Sequence, residues 1–374
     1  VNLPFPPDRV PADAVSRLVW LRLARSRNVG PRTFIRLLNR FRDASAALDA
    51  LPGIAASAGA GNYAPCAAGA AEAEMEAGAR VGARMLCLGA PDYPSALAAI
   101  ADPPPLLWAL GDPSLAARPC LAIVGARNAS AAGARIAAAL ARDLGEAGWV
   151  TVSGLARGID RAAHAAALDF GTIAVLAGGV DDVYPAENAA LHSAIAARGL
   201  LLSEAPMGET PVARSFPRRN RIVAGLSSGV VLVEAAERSG SLITARLAIE
   251  QGREAMAVPG SPLDPRAAGC NALIREGAAL IRSAEDVLEA LSVPRAPGLP
   301  ALASLAPPAR PAPDDASAER VAALLTYAAV PFDDLCRAAA LSPAALASAL
   351  LDLDLAGRIE RRPGDMIALA PPAG

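Results

Sequence analysis

Two hydrophobic periods alternate through the middle of the chain. Short, mostly apolar runs, at residues 121–124, 150–152, 173–176, 200–203, 230–233, 255–258 and 279–281, are separated by longer, helix-like segments. Such runs, rich in Val, Ile and Leu and stopped by Gly or Ser, predict buried strands. Between 131 and 146 Ile136, Leu140 and Leu144 share one helix face. Further helices are expected at 188–197, 242–251 and 284–291, and residues 106–110 are expected as an added edge strand. Strand and helix in strict alternation predict an α/β fold with a doubly wound, mostly parallel sheet.

The flanks follow other patterns. Residues 15–26 and 32–41 predict two short helices joined by Asn28-Val29-Gly30-Pro31, and helices at 44–51 and 67–81 follow. The turn is similar to a helix-hairpin-helix, which would make weak duplex contact, although an ordinary pair of antiparallel helices is the preferred reading. Residues 1–83 are therefore expected as a small helical domain and 84–292 as the sheet domain. The Pro-rich stretch 293–315 lacks any period and reads as an extended linker. In 316–374, helices at 317–327, 332–340 and 342–356 precede a hairpin of 358–361 and 366–369 around Pro363-Gly364-Asp365, which is a winged-helix pattern. Ser342-Pro343 is a good N-cap and first-turn pair.

Composition narrows the chemistry. The 374 residues are 53% hydrophobic but only 3% aromatic, so alanine carries the excess. The chain contains no Lys, so its 35 basic residues are all Arg, and the net charge is −2. A nucleic-acid footprint must then be a local patch. The five Cys form no C-x-x-C pair and there are two His, which argues against a zinc site or a disulfide framework. No apolar run reaches the length of a membrane span and the first residues lack a signal pattern. A soluble, cytoplasmic setting is expected, with no metal and no cofactor.

The candidate chemistry lies at the turns. The run LAIVGARNAS leads from a strand through Gly125 to a helix, and such a helix N-terminus is a physical anion site. A dinucleotide fingerprint would need glycines at the first, third and sixth positions. Here those positions hold Gly125, Arg127 and Ser130, and a guanidinium suits a backbone phosphate better than a close-packed pyrophosphate. Ser153-Gly154 with Arg157 forms an equivalent turn, and Ser239-Gly240-Ser241 with Thr244 a third. The segment Arg214-Ser215-Phe216-Pro217-Arg218-Arg219-Asn220-Arg221 has four arginines and no acid. Cations at a helix start oppose the macrodipole at about 0.3–1 kcal/mol each, so a bound polyanion explains the cluster better than helix stability does. Ser215 is its candidate N-cap, and Phe216 serves either a stacked base or the core. Asp160 and His164 read as a cap and a packed side chain before they read as an acid–base pair. Tyr184-Pro185 is placed to close one side of the groove.

These pieces together resemble the DprA/Smf family of DNA-processing proteins: IVGAR-x-x-S, VSGLARGID-x-x-AH, LAGGVD-x-x-YP-x-x-N, FPRRNRI-x-AGLS and VVLVEA-x-x-RSGSLITA. The resemblance spans residues 93–288. It implies an extended Rossmann-like fold and non-catalytic, sequence-independent binding of single-stranded DNA. It also implies a homodimer and delivery of the strand to the RecA recombinase. On this reading Arg127, Arg218, Arg219 and Arg221 hold consecutive phosphates while Gly154 and Gly240 let the backbone approach. The alternative is a nucleoside-monophosphate phosphoribohydrolase of the lysine-decarboxylase-like kind, but Thr244 stands where its catalytic glutamate belongs. The expected recognition helix, 342–354, has no Arg and carries Asp352 and Asp354. It is therefore expected to contact protein and not to read duplex DNA.

Overall fold

The computed structural model describes residues 5–57, 63–292, 315–362 and 366–370. They fall into two compact units. One holds the described residues of 4–72 together with 315–370, and the other holds 73–292. The expected linker at 293–315 lies outside the described residues except for its last position.

The chain opens with α1 (Ala14–Arg25), α2 (Pro31–Arg40) and α3 (Ala44–Ser57). Asp13 starts α1 with a capping box shared with Ser16. The expected stop at Pro52 does not occur, and α3 runs through it to Ser57. Burial of Ile54 and Ala55 compensates for the backbone bond that proline removes. α4 (Ala68–Val81) leads into the second unit.

That unit is built from β1 (Arg84–Cys87), α5 (Ser95–Ala98), β2 (Leu106–Gly111), β3 (Cys120–Gly125), α6 (Ala131–Glu146), β4 (Val150–Ser153), α7 (Ile159–Ala167), β5 (Thr172–Val175), α8 (Ala189–Arg198) and β6 (Leu200–Ser203). It continues with α9 (Ser215–Leu226), β7 (Gly229–Val233), α10 (Gly240–Glu250), β8 (Glu254–Ala257), α11 (Ala268–Arg275), β9 (Ala279–Leu280) and α12 (Ala284–Ser292). The strands form one sheet in the order β1-β2-β6-β5-β4-β3-β7-β8-β9. From β6 to β9 all pairings are parallel. β2 runs antiparallel to β6, and β1 to β2. Residues 106–110 are therefore not the edge: Arg84–Cys87 pairs outside them. The architecture is the doubly wound, mostly parallel α/β sheet that the alternating pattern predicts. Its core is built from Leu121, Ile123, Leu140, Leu144, Ile159, Val231 and Val233. The strand order reverses between β3 and β7, so a crevice opens there at the carboxyl ends of the strands.

The remaining elements are α13 (Asp315–Leu324), β10 (Val330–Pro331), α14 (Phe332–Ala339), α15 (Pro343–Leu355), β11 (Ile359–Arg362) and β12 (Met366–Leu369). They make the winged helix, with a three-stranded sheet ordered β10-β12-β11 over a core of Val321, Leu335, Leu346, Leu350 and Ile367. Ser342 caps α15, accepting from the Ala345 N–H. α15 packs on α2 and α3. The expected protein surface for this helix is thus the chain's own. Among the described residues no helix is long and apolar enough to cross a membrane.

Candidate nucleic-acid interface

Two hollows meet at the sheet's carboxyl edge. One, of about 410 Å³, is bounded by Arg157, Tyr184, Pro185 and Pro211. The other, of about 580 Å³, lies at the reversal point between Gly125 and the Arg238–Ser241 turn. Arg127, Gly154, Ala156, Phe216 and Arg219 line both, so the hollows form one groove with a ridge across it. The ridge is aromatic and cationic. The Arg127 guanidinium lies 5.0 Å from the Phe216 ring centroid, and Tyr184 packs against the same ring at 5.6 Å. Phe216 is half-buried and Arg127 exposed, so ring and cation both face solvent.

Under the ridge the sheet is knit tightly. A Cβ on Gly125 would sit 1.8 Å from the Val233 carbonyl, and one on Gly154 would sit 1.9 Å from Arg219 Nη1. Both glycines are required first by the protein's own packing. Arg219 Nη1 donates to the Val175 carbonyl at 2.6 Å. Its Nε is buried with no hydrogen-bond partner among the described residues. Burial lowers its pKa to about 10, with the Asp160 charge opposing, so it stays cationic at neutral pH. Asp160 accepts from the Gly154 and Ala156 N–H groups at 3.1 and 3.3 Å. Burial raises its carboxyl, while Arg219 and these bonds pull it back. Asp160 therefore holds the turn after β4, as a cap does.

The arginine segment splits. Arg221 is buried: it donates to Glu204 Oε2 at 2.6 Å and to the Asp102 carbonyl at 2.7 Å. It is a structural ion pair and not the phosphate holder expected of it. Arg218 is 61% exposed, faces the same Glu204 carboxylate at 3.4 Å, and lines neither hollow. Ser215 is the first residue of α9 and not its cap: Arg214 holds that position, and the Ser215 hydroxyl accepts from the Val212 N–H at 3.3 Å. Asn220 borders the second hollow and donates to the Gly240 carbonyl at 3.4 Å.

Two of the turns differ from expectation in the same way. The N-terminus of α6 already holds an anion, because Ser130 N donates to Glu234 Oε2 at 2.8 Å and the Ser130 hydroxyl bonds the other carboxylate oxygen. Ser130 is thereby withdrawn from the groove. Ser153 is fully buried and donates to the Ile123 carbonyl at 2.6 Å. The third turn stays open. Ser239, Gly240, Ser241 and Thr244 line the second hollow, and a methyl on Gly240 would meet nothing within 4 Å. Arg238 and Arg266 stand beside them. Neither was expected, although Arg238 adjoins the recognised turn. Arg266 arrives from the loop after β8, already forked onto Asp264, and no local pattern signals it. Arg157 is exposed, with Glu187 at 3.7 Å, a pairing too solvated to bind it firmly.

A mostly parallel sheet whose reversal point carries an arginine-lined, aromatic-ridged groove, with helical and winged-helix modules in the same chain, defines a modular α/β protein of the doubly wound class. The family model described as DNA recombination-mediator protein A matches residues 84–292. The DprA-like N-terminal HHH domain matches 14–77 and the DprA winged helix domain 305–365. The chain belongs to the DprA/Smf family of DNA processing proteins. It is 46% identical over 213 residues to DNA processing protein DprA of Bacillus subtilis, covering 56% of this chain and 72% of that protein. It is 48% identical over 198 residues to the Streptococcus pneumoniae protein, covering 52% and 70%. The X-ray structure of the S. pneumoniae protein superposes with a TM-score of 0.63 at 36% identity, over 74% of this chain and 98% of that one. DNA processing protein A from Helicobacter pylori, described for its single-stranded DNA binding mode, superposes with a TM-score of 0.52 at 33% identity over 56% and 95%.

Proposed function

We propose that this chain binds single-stranded DNA without reading its sequence, along the groove between the turns after β3, β4 and β7, and performs no chemistry on it. The carrying observation is the alternation of surfaces in one trough. Exposed guanidinium groups at Arg127, Arg157 and Arg238 suit phosphates, and the Phe216–Tyr184 ridge suits a base face. Arg219 adds a fixed, half-satisfied cation at the floor. The binding mode for which the Helicobacter pylori relative is described supports the same ligand. The groove's acid and the nearby histidine serve structure: Asp160 caps a turn and His164 is fully buried.

The reading extends to partners. A family described as recombination mediators supports delivery of the bound strand to a RecA-class recombinase, by a homodimer. Five free cysteines support a reducing, cytoplasmic setting. Recombinase filament assembly on oligo-dT, with and without the chain, tests the delivery, and sedimentation tests the dimer.

Anisotropy of labelled oligo-dT across a salt series tests the binding itself. Neutralising three or four phosphates gives a slope of about −2 to −3 in log K against log salt, at roughly −0.7 per phosphate. A flat response overturns the proposal.

A further inference from the structure

The winged helix is seated on a surface built like an anion site. In α2 the sequence PRTFIRLLNR repeats arginine every fourth residue, at Arg32, Arg36 and Arg40, and contains no acid. That spacing lays the cations along one stripe, while Phe34, Leu37 and Leu38 are buried. The helix starts at Gly30 without a side-chain cap, so its positive end is open to an anion.

Carboxylates of α15 occupy this surface. Asp352 Oδ1 accepts from Arg40 Nη1 at 2.9 Å. Asp354 Oδ2 accepts from the Thr33 hydroxyl in the first turn of α2, at 3.2 Å, and from Arg361 Nε of the wing, also at 3.2 Å. The hairpin turn is fastened as well, with Asn28 Nδ2 donating to the Leu355 carbonyl at 3.0 Å. Two acids at positions where a DNA-reading helix would carry cations thus lie on the basic helix, Asp354 at its first turn and Asp352 at its last residue.

We infer that this is an autoinhibitory contact: Asp352 and Asp354 stand in for backbone phosphates and cover a duplex-binding face on α2. The covered ligand is a duplex backbone because the cations repeat along one helix with no exposed ring among them for a base to stack on. The ring that α2 itself carries, Phe34, is fully buried. Release of α15 exposes the stripe and frees the winged helix at the same time. The single-strand groove belongs to the other unit, so this inference stands or falls apart from the proposed function.

The test uses the full chain, with anisotropy of a labelled duplex and of oligo-dT. The double variant Asp352→Asn/Asp354→Asn gains about tenfold in duplex affinity, its salt slope steepens by about 2–3 at roughly −0.9 per phosphate, and its oligo-dT affinity is unchanged. Adding Arg32→Ala and Arg36→Ala cancels the gain. Circular dichroism and hydrogen exchange on α2 verify that the unit stays folded. If the double variant unfolds it, the isosteric Asp354→Asn alone carries the same prediction at about threefold. Unchanged duplex affinity in a folded variant, or an equal gain for oligo-dT, overturns the inference.

Discussion

Arg127 and Phe216 meet across the groove, guanidinium over ring, although they come from the turn after β3 and the first turn of α9. Tyr184 packs on the same ring, its plane tilted by 49°. A cation over an exposed ring is worth about 0.5–1 kcal/mol, enough to orient Arg127 without immobilising it. Removing the ring takes away both the stacking platform and the orientation. Phe216→Ala is expected to lose roughly 1–3 kcal/mol of oligo-dT affinity with little change in thermal stability, while Phe216→Tyr keeps most of the affinity. Wild-type binding by the alanine variant would make the ring simple filler.

Arg218 and Arg221 share the carboxylate of Glu204, yet their substitutions should read out differently. The Arg221–Glu204 pair is buried, with side chains 8% and 12% exposed. Removing one member leaves the other charge uncompensated, at a cost of about 3–5 kcal/mol. Arg221→Ala is therefore expected to unfold at markedly lower denaturant concentration. Arg218→Ala removes an exposed cation beside the groove and should weaken DNA binding slightly, flattening the salt slope, with stability kept. Urea melts and anisotropy on both variants decide it. Equal stability in the two would contradict the burial argument.

Helical geometry explains why the arginine cluster was only half legible. Successive helical residues project about 100° apart, so Arg218, Arg219 and Arg221 cannot all face one trough, whatever their shared charge suggests. On the helix Arg218 and Arg221 share a side and Arg219 stands apart: Arg219 reaches the Val175 carbonyl, while Glu204 and Asp102, distant in sequence, draw Arg221 out of the trough. The strands from β3 to β8 were legible because burial on both faces leaves predominantly apolar runs. β1 was not, since Arg84-Met85-Leu86-Cys87 is short, starts with an exposed cation, and becomes a strand through pairing with β2. The roles of Ser130 and Ser153 were misassigned for a related reason: a strand–turn–helix signals an anion site, but not that Glu234 from the neighbouring strand already fills it. Arg266 had no local signal at all.

His164 should make the fold acid-sensitive. Thr172 Oγ1 donates to the Thr151 carbonyl at 3.1 Å, so at 2.7 Å it accepts from His164 Nδ1–H. That leaves Nε2 bare in the core, where it has no hydrogen-bond partner among the described residues. Burial, with the Arg219 charge second, lowers the imidazole pKa from 6.5 to about 3. The unfolded chain therefore binds a proton that the folded chain refuses. The stability conferred by the neutral ring is complete above pH 6.5 and is lost as pH falls from there toward 3, by up to about 1.4 kcal/mol per unit. Asp160 acts in the opposite sense. Its carboxyl is raised by burial, so its contribution grows as pH drops through its folded value, above the ordinary 3.8. Between about pH 7 and about pH 5 the histidine by itself lowers the unfolding free energy by roughly 2 kcal/mol. His164→Asn is expected to be less stable at neutral pH, with a shallower slope below it. If the variant keeps the wild-type slope in paired denaturant melts, the acid sensitivity belongs to other groups and the neutral buried imidazole is not what sets it.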